Sequence, residues 1–249
     1  MIHGKILVFM FLSLFFVAFQ MNAQTETQKD YSTLATNPDG GERKIEIEFQ
    51  KGTDHYYPLM AIWVEDMKGN YIHSLYVAQS IAKGEFEYGQ PEGGKWKRSE
   101  KQIPSALPYW AHQRGVMTKD SSYMPTKKHP LPDAYTGATP TRSFVLETAV
   151  SEEAGSKFRV LFEINQSWDW NKYWHNARYP GNKEYMKSAQ PALVYEAAID
   201  LERGKEKYKM KPIGHSHPYG ATGELFEDLS TLTTALDIVE SITIRVFEP

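Results

Sequence analysis

Short runs in which apolar and polar residues alternate recur along the chain from residue 42 onward. This two-residue period is typical of half-buried β-strands. The runs lie at 45–49, 142–150, 157–165, 191–201 and 242–246. They predict strands at these positions, with a further strand at 208–213. The short turn-forming segment between the second and third runs predicts that these two strands form a hairpin.

One run differs from the others because its apolar residues point both ways. Residues 59–64 carry Leu, Met, Ala, Ile, Trp and Val in succession, so both faces of a strand there would be apolar. This pattern predicts a central strand with both faces covered. The turn-forming residues at 66–70 and the apolar run at 71–78 predict the returning strand of a hairpin.

Four segments break the alternation. Residues 84–96 are rich in glycine and predict a loop, and residues 118–140 predict a long ordered loop with several prolines. Residues 99–115 favour a short helix whose length is limited by two internal prolines. Residues 230–240 have helical spacing, with Asp228 or Ser230 able to cap a helix there.

These elements together predict the fold class. Seven or so strands joined mainly by hairpins, without regular alternation of strands and helices, favour an all-β fold. The expected architecture is an immunoglobulin-like antiparallel β-sandwich with long loops and one or two short helices. This single domain is expected to span residues 42–249.

The N-terminal segment has the pattern of an export signal. Lys5 is followed by an apolar run at 6–19 and by the small residue Ala23, which predicts a cleavable signal peptide over residues 1–23. Retention as an anchor is the alternative, although the run is short for a membrane-spanning helix. No second such run follows, so we expect a periplasmic or secreted protein with no membrane span after cleavage. The polar stretch at 24–41 predicts a flexible lead-in.

Composition narrows the chemistry that this chain can perform. The chain has no cysteine, which excludes disulfides, thiolate catalysis and a lipid anchor on cysteine. Its formal net charge of -3 argues against a general nucleic-acid binder. Serine-hydrolase, HExxH-type metalloprotease and phosphate-loop motifs are also missing from the sequence. We therefore expect a non-catalytic protein.

The most specific string in the chain is DAYTGAT at residues 133–139. It resembles the flavinylation motif Asp-x-x-Ser/Thr-Gly-Ala-Thr of exported flavoproteins, in which a flavin transferase moves FMN from FAD onto the last threonine. The resemblance implies that Thr139 is the acceptor and that the recognition residues are Asp133, Thr136, Gly137 and Ala138. Gly137 is expected to allow unusual backbone angles. The alternative is an ordinary turn, since these residue types are common in loops.

A second resemblance covers more of the chain. The strings AIWVED at 61–66 and GNYI at 69–72, followed by the string at 133–139, are similar to an uncharacterised family of predicted periplasmic proteins. Members of that family are often encoded beside flavin transferases and PepSY-type membrane proteins. The resemblance therefore implies a flavin transferase and a membrane redox protein as partners. That family has no established activity, so the resemblance carries none over to this chain.

A loop at 167–188 is crowded with aromatic residues. Its candidate ligand-binding residues are Trp168, Trp170, Tyr173 and Trp174. Such side chains stack on sugar or flavin rings, which gives the alternative function of a secreted module that binds carbohydrate or protein without a cofactor. They can equally fold inward as a small core under the loop, and this structural role is the one that we favour.

The last candidate is GHSHPYG at residues 214–220. In an extended chain His215 and His217 share a face and could both bind a metal ion. Two ligands do not make a site, and the remaining ligands would have to come from His129, His175, Glu224, Glu227 or Asp228. A hydrogen-bonded turn between two glycines is the favoured interpretation.

Overall fold

The computed structural model describes residues 31–37, 43–119, 121–132 and 135–247. The segment expected to be a signal peptide lies outside these residues. The strands are β1 (Ser32–Ala35), β2 (Arg43–Lys51), β3 (Leu59–Asp66), β4 (Tyr71–Ala78), β5 (Glu85–Glu92), β6 (Lys95–Glu100), β7 (Thr136–Gly137), β8 (Phe144–Val150), β9 (Lys157–Asn165), β10 (Leu193–Asp200), β11 (Lys207–Lys209), β12 (Lys211–His215) and β13 (Val239–Val246). The helices are α1 (Gln79–Lys83), α2 (Pro108–Gln113) and α3 (Tyr185–Ser188). The predicted all-β class is confirmed.

Two sheets form the body of the fold. One has the strand order β1-β8-β2-β13-β11 and the other β12-β10-β9-β3-β4-β7. Neighbouring strands are antiparallel except for two short edge pairs, β1 with β8 and β4 with β7, which are parallel. Strand β3 lies between β9 and β4, so the predicted central position of residues 59–64 is confirmed.

The main core lies between the two sheets. Alternate residues of β2, β8 and β13 face alternate residues of β3, β9 and β10, and the largest of them include Phe49, Phe144, Phe158 and Phe162. Phe49 stacks on Phe144 with ring centroids 4.8 Å apart. This is the interior of a β-sandwich, in which each strand turns every second side chain inward.

A second apolar layer covers the outer face of the six-stranded sheet. Ala61 and Trp63 on β3, with Leu161 on β9, pack against Leu107 and Trp110 from the α2 region. Trp110 is fully buried, and its indole Nε1 donates a hydrogen bond to the hydroxyl of Ser74 at 3.0 Å. This layer explains why residues 59–64 are apolar on both faces.

The immunoglobulin-like detail of the predicted fold is not confirmed. In an immunoglobulin sheet the first two long strands pair with each other. Here β2 pairs with β8 and β13, while β3 belongs to the opposite sheet. The predicted hairpin of β8 and β9 is also wrong, since the turn at Glu152–Ala154 carries the chain from one sheet to the other.

Other local predictions are corrected by the structure. Residues 84–96 are mostly not a loop, because β5 and β6 form a two-stranded ribbon joined by Gly93 and Gly94, both with positive φ. The flexible lead-in is wrong for residues 32–35, which form β1 on the edge of the five-stranded sheet. The helical spacing at 230–240 yields a 3-10 turn at Thr234–Asp237.

Within the described ranges, no helix has the length and apolar character needed to cross a membrane.

Candidate functional site

The segment after β7 carries the proposed acceptor threonine. Strand β7 lies parallel to the end of β4, with Thr136 opposite Val77 and Gly137 opposite Ala78. The chain then passes through Ala138 and Thr139, which are exposed and partly exposed respectively. Asp133, the first residue of the motif, lies outside the described residues. The sheet edge therefore presents the second half of the motif at the surface.

Two buried side chains hold the backbone on either side of Thr139. The phenol oxygen of Tyr76 lies 3.1 Å from the carbonyl oxygen of Gly137 and 2.9 Å from that of Ala138, and its hydroxyl donates to them. His55 Nε2 lies 2.9 Å from the carbonyl oxygen of Pro140. Burial lowers the pKa of His55 and raises that of Tyr76, so both rings are neutral at pH 7. As neutral donors they fix the loop without adding charge.

Gly137 is required here for a steric reason. A Cβ atom built on Gly137 would lie 2.9 Å from Cε2 of Tyr76, closer than such atoms normally approach. Its φ angle is not in the positive region that glycine alone tolerates well. The expectation of unusual backbone angles at Gly137 is therefore wrong. The residue is small because the ring of Tyr76 packs directly on it.

Thr139 opens into a polar cleft of about 340 Å³ between α1 and the β5–β6 ribbon. The lining residues are Gln79, Ser80, Lys83, Glu85, Glu87, Arg98, Ala138 and Thr139. Among the residues that the structure describes, none hydrogen-bonds to the hydroxyl of Thr139. Thr139 is thus a partly exposed residue whose hydroxyl has no hydrogen-bond partner in the described part of the chain.

Charged side chains line the cleft on both sides, from α1 and from the β5–β6 ribbon. Arg98 on the ribbon is 66% exposed, and its Nη1 lies 3.7 Å from Glu85 Oε2, a distance longer than a hydrogen bond. Glu85 also forms an ion pair with Lys127, whose Nζ lies 3.3 Å from Glu85 Oε1, so two cations share this carboxylate. Arg98 therefore retains donors for an anion. The cleft wall carries two cations, Lys83 and Arg98, and two carboxylates, Glu85 and Glu87, so its formal charges balance.

The aromatic loop mostly folds inward, as we favoured. Trp174 is 4% exposed and Tyr185 is fully buried, and both belong to the main core. Trp170 packs against that core. Trp168 and Tyr173 remain outside, at 60% and 43% exposure. The four predicted ligand-binding residues therefore do not form one stacking surface.

The polar residues of this loop are used by the protein itself. The carboxylate of Asp169 accepts a hydrogen bond from the hydroxyl of Thr234. Asn171 Nδ2 donates to Gln190 Oε1 at 3.0 Å, and its Oδ1 accepts the backbone N–H of Trp174 at 2.7 Å. The bond from Thr234, together with that from Asn171 Nδ2 to the carbonyl oxygen of Thr231 at 2.9 Å, fastens the loop to the turn before β13.

The segment with two histidines forms the expected hydrogen-bonded turn. His217 Nδ1 accepts the backbone N–H groups of Tyr219 at 3.4 Å and Ala221 at 3.3 Å. His215 is buried and stacks on Phe226 with centroids 5.3 Å apart. Burial lowers the pKa of both histidines. In the described part of the chain, no three histidine or acidic side chains come together as a metal site.

A buried carboxylate that sequence reasoning missed lies under α2. Glu163 on β9 is fully buried and accepts the backbone N–H groups of Tyr109 at 3.2 Å and Trp110 at 2.7 Å. It caps the first turn of a helix that has no side-chain cap of its own. Burial raises the pKa of Glu163 to about 8, against the opposing effect of these donors. In the sequence Glu163 stands on the polar side of an alternating strand, with Lys157 and Arg159, so the pattern gave no signal that it is buried.

A network of charged side chains, one of them fully buried, spans three strands of the same sheet. Glu65 is fully buried and accepts the indole N–H of Trp63 at 2.8 Å. Arg159 bridges it to Glu196, with Nη1 3.3 Å from Glu65 Oε2 and Nε 3.0 Å from Glu196 Oε2. Since β3, β9 and β10 are adjacent, this network joins them side by side. We assign it a structural role.

Comparisons of the chain with protein-family models, with curated proteins and with solved structures found no match.

Proposed function

We propose that this protein is an exported, non-catalytic electron-transfer or accessory protein that carries FMN as a phosphoester on Thr139. The observation that carries this proposal is the position of Thr139 in a polar cleft that Arg98 also lines, with guanidinium donors that Glu85 does not take up. A phosphoester retains a negative charge, and lysine and arginine are the side chains that bind phosphate oxygens best. Of the cleft residues, Arg98 fits the phosphate that the motif implies, whereas Glu85 and Glu87 oppose a further negative charge.

The attachment is a group transfer in which no atom is oxidised or reduced. Thr139 Oγ1 attacks the phosphorus of the FMN half of FAD, and a P–O bond forms. The pyrophosphate P–O bond breaks, and AMP leaves with the electron pair. The hydroxyl proton passes to the base of a flavin transferase, which is the proposed partner for this step. When bound, FMN supplies the ability to accept and release electrons.

The chain contributes a presented hydroxyl and a fixed loop. Tyr76 and His55 hold the carbonyl groups that flank Thr139, so the acceptor is positioned before a transferase meets it. Such positioning reduces the entropy lost when two reactants are brought together. Gly137 and Ala138 keep the approach to the hydroxyl narrow, because neither carries a bulky side chain.

Location and redox partner follow from the sequence resemblances. We propose that residues 1–23 direct export to the periplasm or out of the cell, where the flavin transferase acts. A membrane redox protein is the proposed partner for electron exchange, since the similar family is often encoded beside such proteins. Neither proposal requires nucleic acid or an enzymatic activity of this chain.

Replacing Thr139 with alanine is expected to abolish covalent flavin. The protein is co-expressed with a flavin transferase, denatured and examined for flavin fluorescence in the gel. Wild type is expected to fluoresce, whereas Thr139→Ala removes the only oxygen of the side chain and should give no signal. Mass spectrometry of the peptide containing Thr139 should carry the FMN phosphoester.

Thr139→Ser is the matched control because it keeps a hydroxyl at the same position. It is expected to retain flavin, although its extra rotational freedom can slow attachment. Fluorescence that survives in Thr139→Ala, or an adduct on another residue, would contradict the proposal. Wild-type protein without flavin in the presence of an active transferase would do the same.

A second candidate function is supported by exposed aromatic side chains at one end of the sandwich. Trp168 is 60% exposed and Tyr57 is 78% exposed. Their loops meet where Gln166 accepts the backbone N–H of Tyr56 at 2.9 Å. Exposed rings of this kind stack on sugars.

The test of this second function is a binding measurement on Trp168→Ala. If the protein is a carbohydrate-binding module, retention on an immobilised polysaccharide is expected to fall about tenfold or more with the loss of one stacking contact. Trp174→Phe, a change in the buried part of the same loop, is the control and should retain binding. Equal retention of Trp168→Ala and wild type would eliminate this candidate.

A further inference from the structure

We propose that Trp96 on the β5–β6 ribbon is the stacking partner for the aromatic ring of the flavin held on Thr139. This inference rests on the proposed function and extends it from the attachment point to the place where the ring lies. It assigns a role to an exposed tryptophan that neither the core nor the cleft wall uses.

Alternation along β6 places Trp96 on the same face of the ribbon as Arg98, and Trp96 lies beyond the residues that line the cleft itself. Residues directly opposite in an antiparallel pair share a face, and Glu85 lies opposite Glu100 while Pro91 lies opposite Trp96. The register shifts within β5 between these pairs, so the face is followed along β6. Because side chains alternate along β6, Trp96 and Glu100 share their face with Arg98. Arg98 and Glu85 both line the cleft that contains Thr139.

The opposite face of the ribbon is fixed against the protein body. Phe86, which pairs with Ser99, packs against the second apolar layer. Lys101 Nζ lies 6.0 Å from the centre of the Phe86 ring on the same side. These contacts hold the base of the ribbon, so the orientation of its cleft face toward α1 and Thr139 does not depend on a ligand.

The spacing along β6 suits a flavin that is attached through its phosphate. Arg98 and Trp96 are two residues apart on one face, which corresponds to about 7 Å along a strand. A ribityl chain of comparable extended length separates the phosphate of FMN from its ring system. With the phosphate near Arg98, the ring would reach the level of Trp96 without crossing the ribbon.

Trp96 has the exposure that a stacking surface needs. It is 52% exposed, whereas the buried tryptophans Trp63 and Trp110 are fully enclosed. A two-stranded ribbon alone is only marginally stable, and a large flat ring on one face would add apolar contact where the described residues supply little. Tryptophan is the aromatic residue with the largest surface for such contact.

The inference is tested on the flavin-loaded protein by fluorescence in the native state. A tryptophan stacked on a flavin quenches the flavin fluorescence by electron transfer. The flavin of native wild-type protein should therefore show weak emission and a short fluorescence lifetime. Trp96→Ala is expected to raise the native emission per bound flavin severalfold and to lengthen the lifetime. After denaturation the two proteins should give equal emission, because the attachment to Thr139 is unchanged.

Tyr88→Ala is the matched control, since Tyr88 is 70% exposed on the same ribbon but belongs to the irregular stretch of β5 between Phe86 and Gln90 rather than to the β6 face that carries Arg98 and Trp96. It should leave native emission and lifetime as in wild type. Native emission that is equally quenched in Trp96→Ala and wild type, with equal covalent flavin, would overturn the role of Trp96 and leave the proposed function intact. Wild-type protein without covalent flavin would overturn both.

Discussion

Glu163→Gln is expected to gain stability relative to wild type as the pH rises from about 4.5 to about 8. Burial raises the pKa of Glu163 from 4.5 to about 8 in the folded protein. Between these values the folded state keeps a proton that the unfolded state has released, so wild-type stability falls with rising pH. At about 1.4 kcal/mol per pKa unit, the change amounts to about 5 kcal/mol at most.

The difference between the two proteins is the informative quantity. Burial lowers the pKa of His55, His73, His215 and His217. These histidines make stability rise with pH up to about 6.5, which opposes the effect of Glu163 in wild type. Because both proteins contain them, subtraction of the two free energies of unfolding removes their contribution.

The measurement is urea unfolding of both proteins at several pH values between 4 and 9. A constant offset is expected because the amide of glutamine replaces an acceptor of one backbone N–H group of α2 with a donor. The slope of the difference against pH reports the proton on Glu163. Glu227→Gln, at an exposed position, is the control for the substitution. Parallel curves for wild type and Glu163→Gln would show that Glu163 titrates alike in both states.

Trp110→Ala is expected to lower the free energy of unfolding by about 3–5 kcal/mol, the usual cost of emptying a fully buried aromatic site. Trp110 is fully buried, and Arg114 lies over its ring at 5.2 Å. The change also leaves the hydroxyl of Ser74 without the donor that it now accepts from. The loss should be visible as a lower midpoint in urea with little change in slope.

Trp168→Ala removes the same side chain from an exposed position and is expected to change stability by less than about 0.5 kcal/mol. Comparing the two variants therefore separates the effect of burial on stability from the effect of removing a tryptophan as such. Because Trp110 anchors the layer that covers the six-stranded sheet, limited proteolysis of Trp110→Ala should cut first between residues 84 and 131. Equal stability of the two variants would show that this layer does not contribute to the folded state.

The strands could be predicted because their alternation is a local property of the sequence. The pairing of β8 could not, because a turn such as Glu152–Ala154 serves equally well within a hairpin and between two sheets. The β5–β6 ribbon was missed because most of its side chains are exposed and carry no apolar period. Its two-glycine turn at Gly93 and Gly94 was the available signal.

The candidate site shows a similar division. The string around Thr139 is contiguous, so a sequence motif can point to it. Lys83 and Arg98 come from a helix and a ribbon far away in the chain, and no spacing connects them to Thr139 before the fold does. Tyr76 and His55 bind backbone carbonyl groups. Every residue has such a group, so the sequence cannot show which residues these two side chains contact.

Because β1 belongs to the sandwich, the folded domain begins before residue 42, the start expected from the sequence. Strand β1 supplies the outer partner of β8, and Thr36, just after it, donates a 2.6 Å hydrogen bond to the carbonyl oxygen of Leu75 in the opposite sheet. A recombinant chain that begins at residue 42 would lose this link and leave β8 as an open edge. Open edges recruit strands from other molecules, so the usable N-terminal boundary of the domain lies before Ser32.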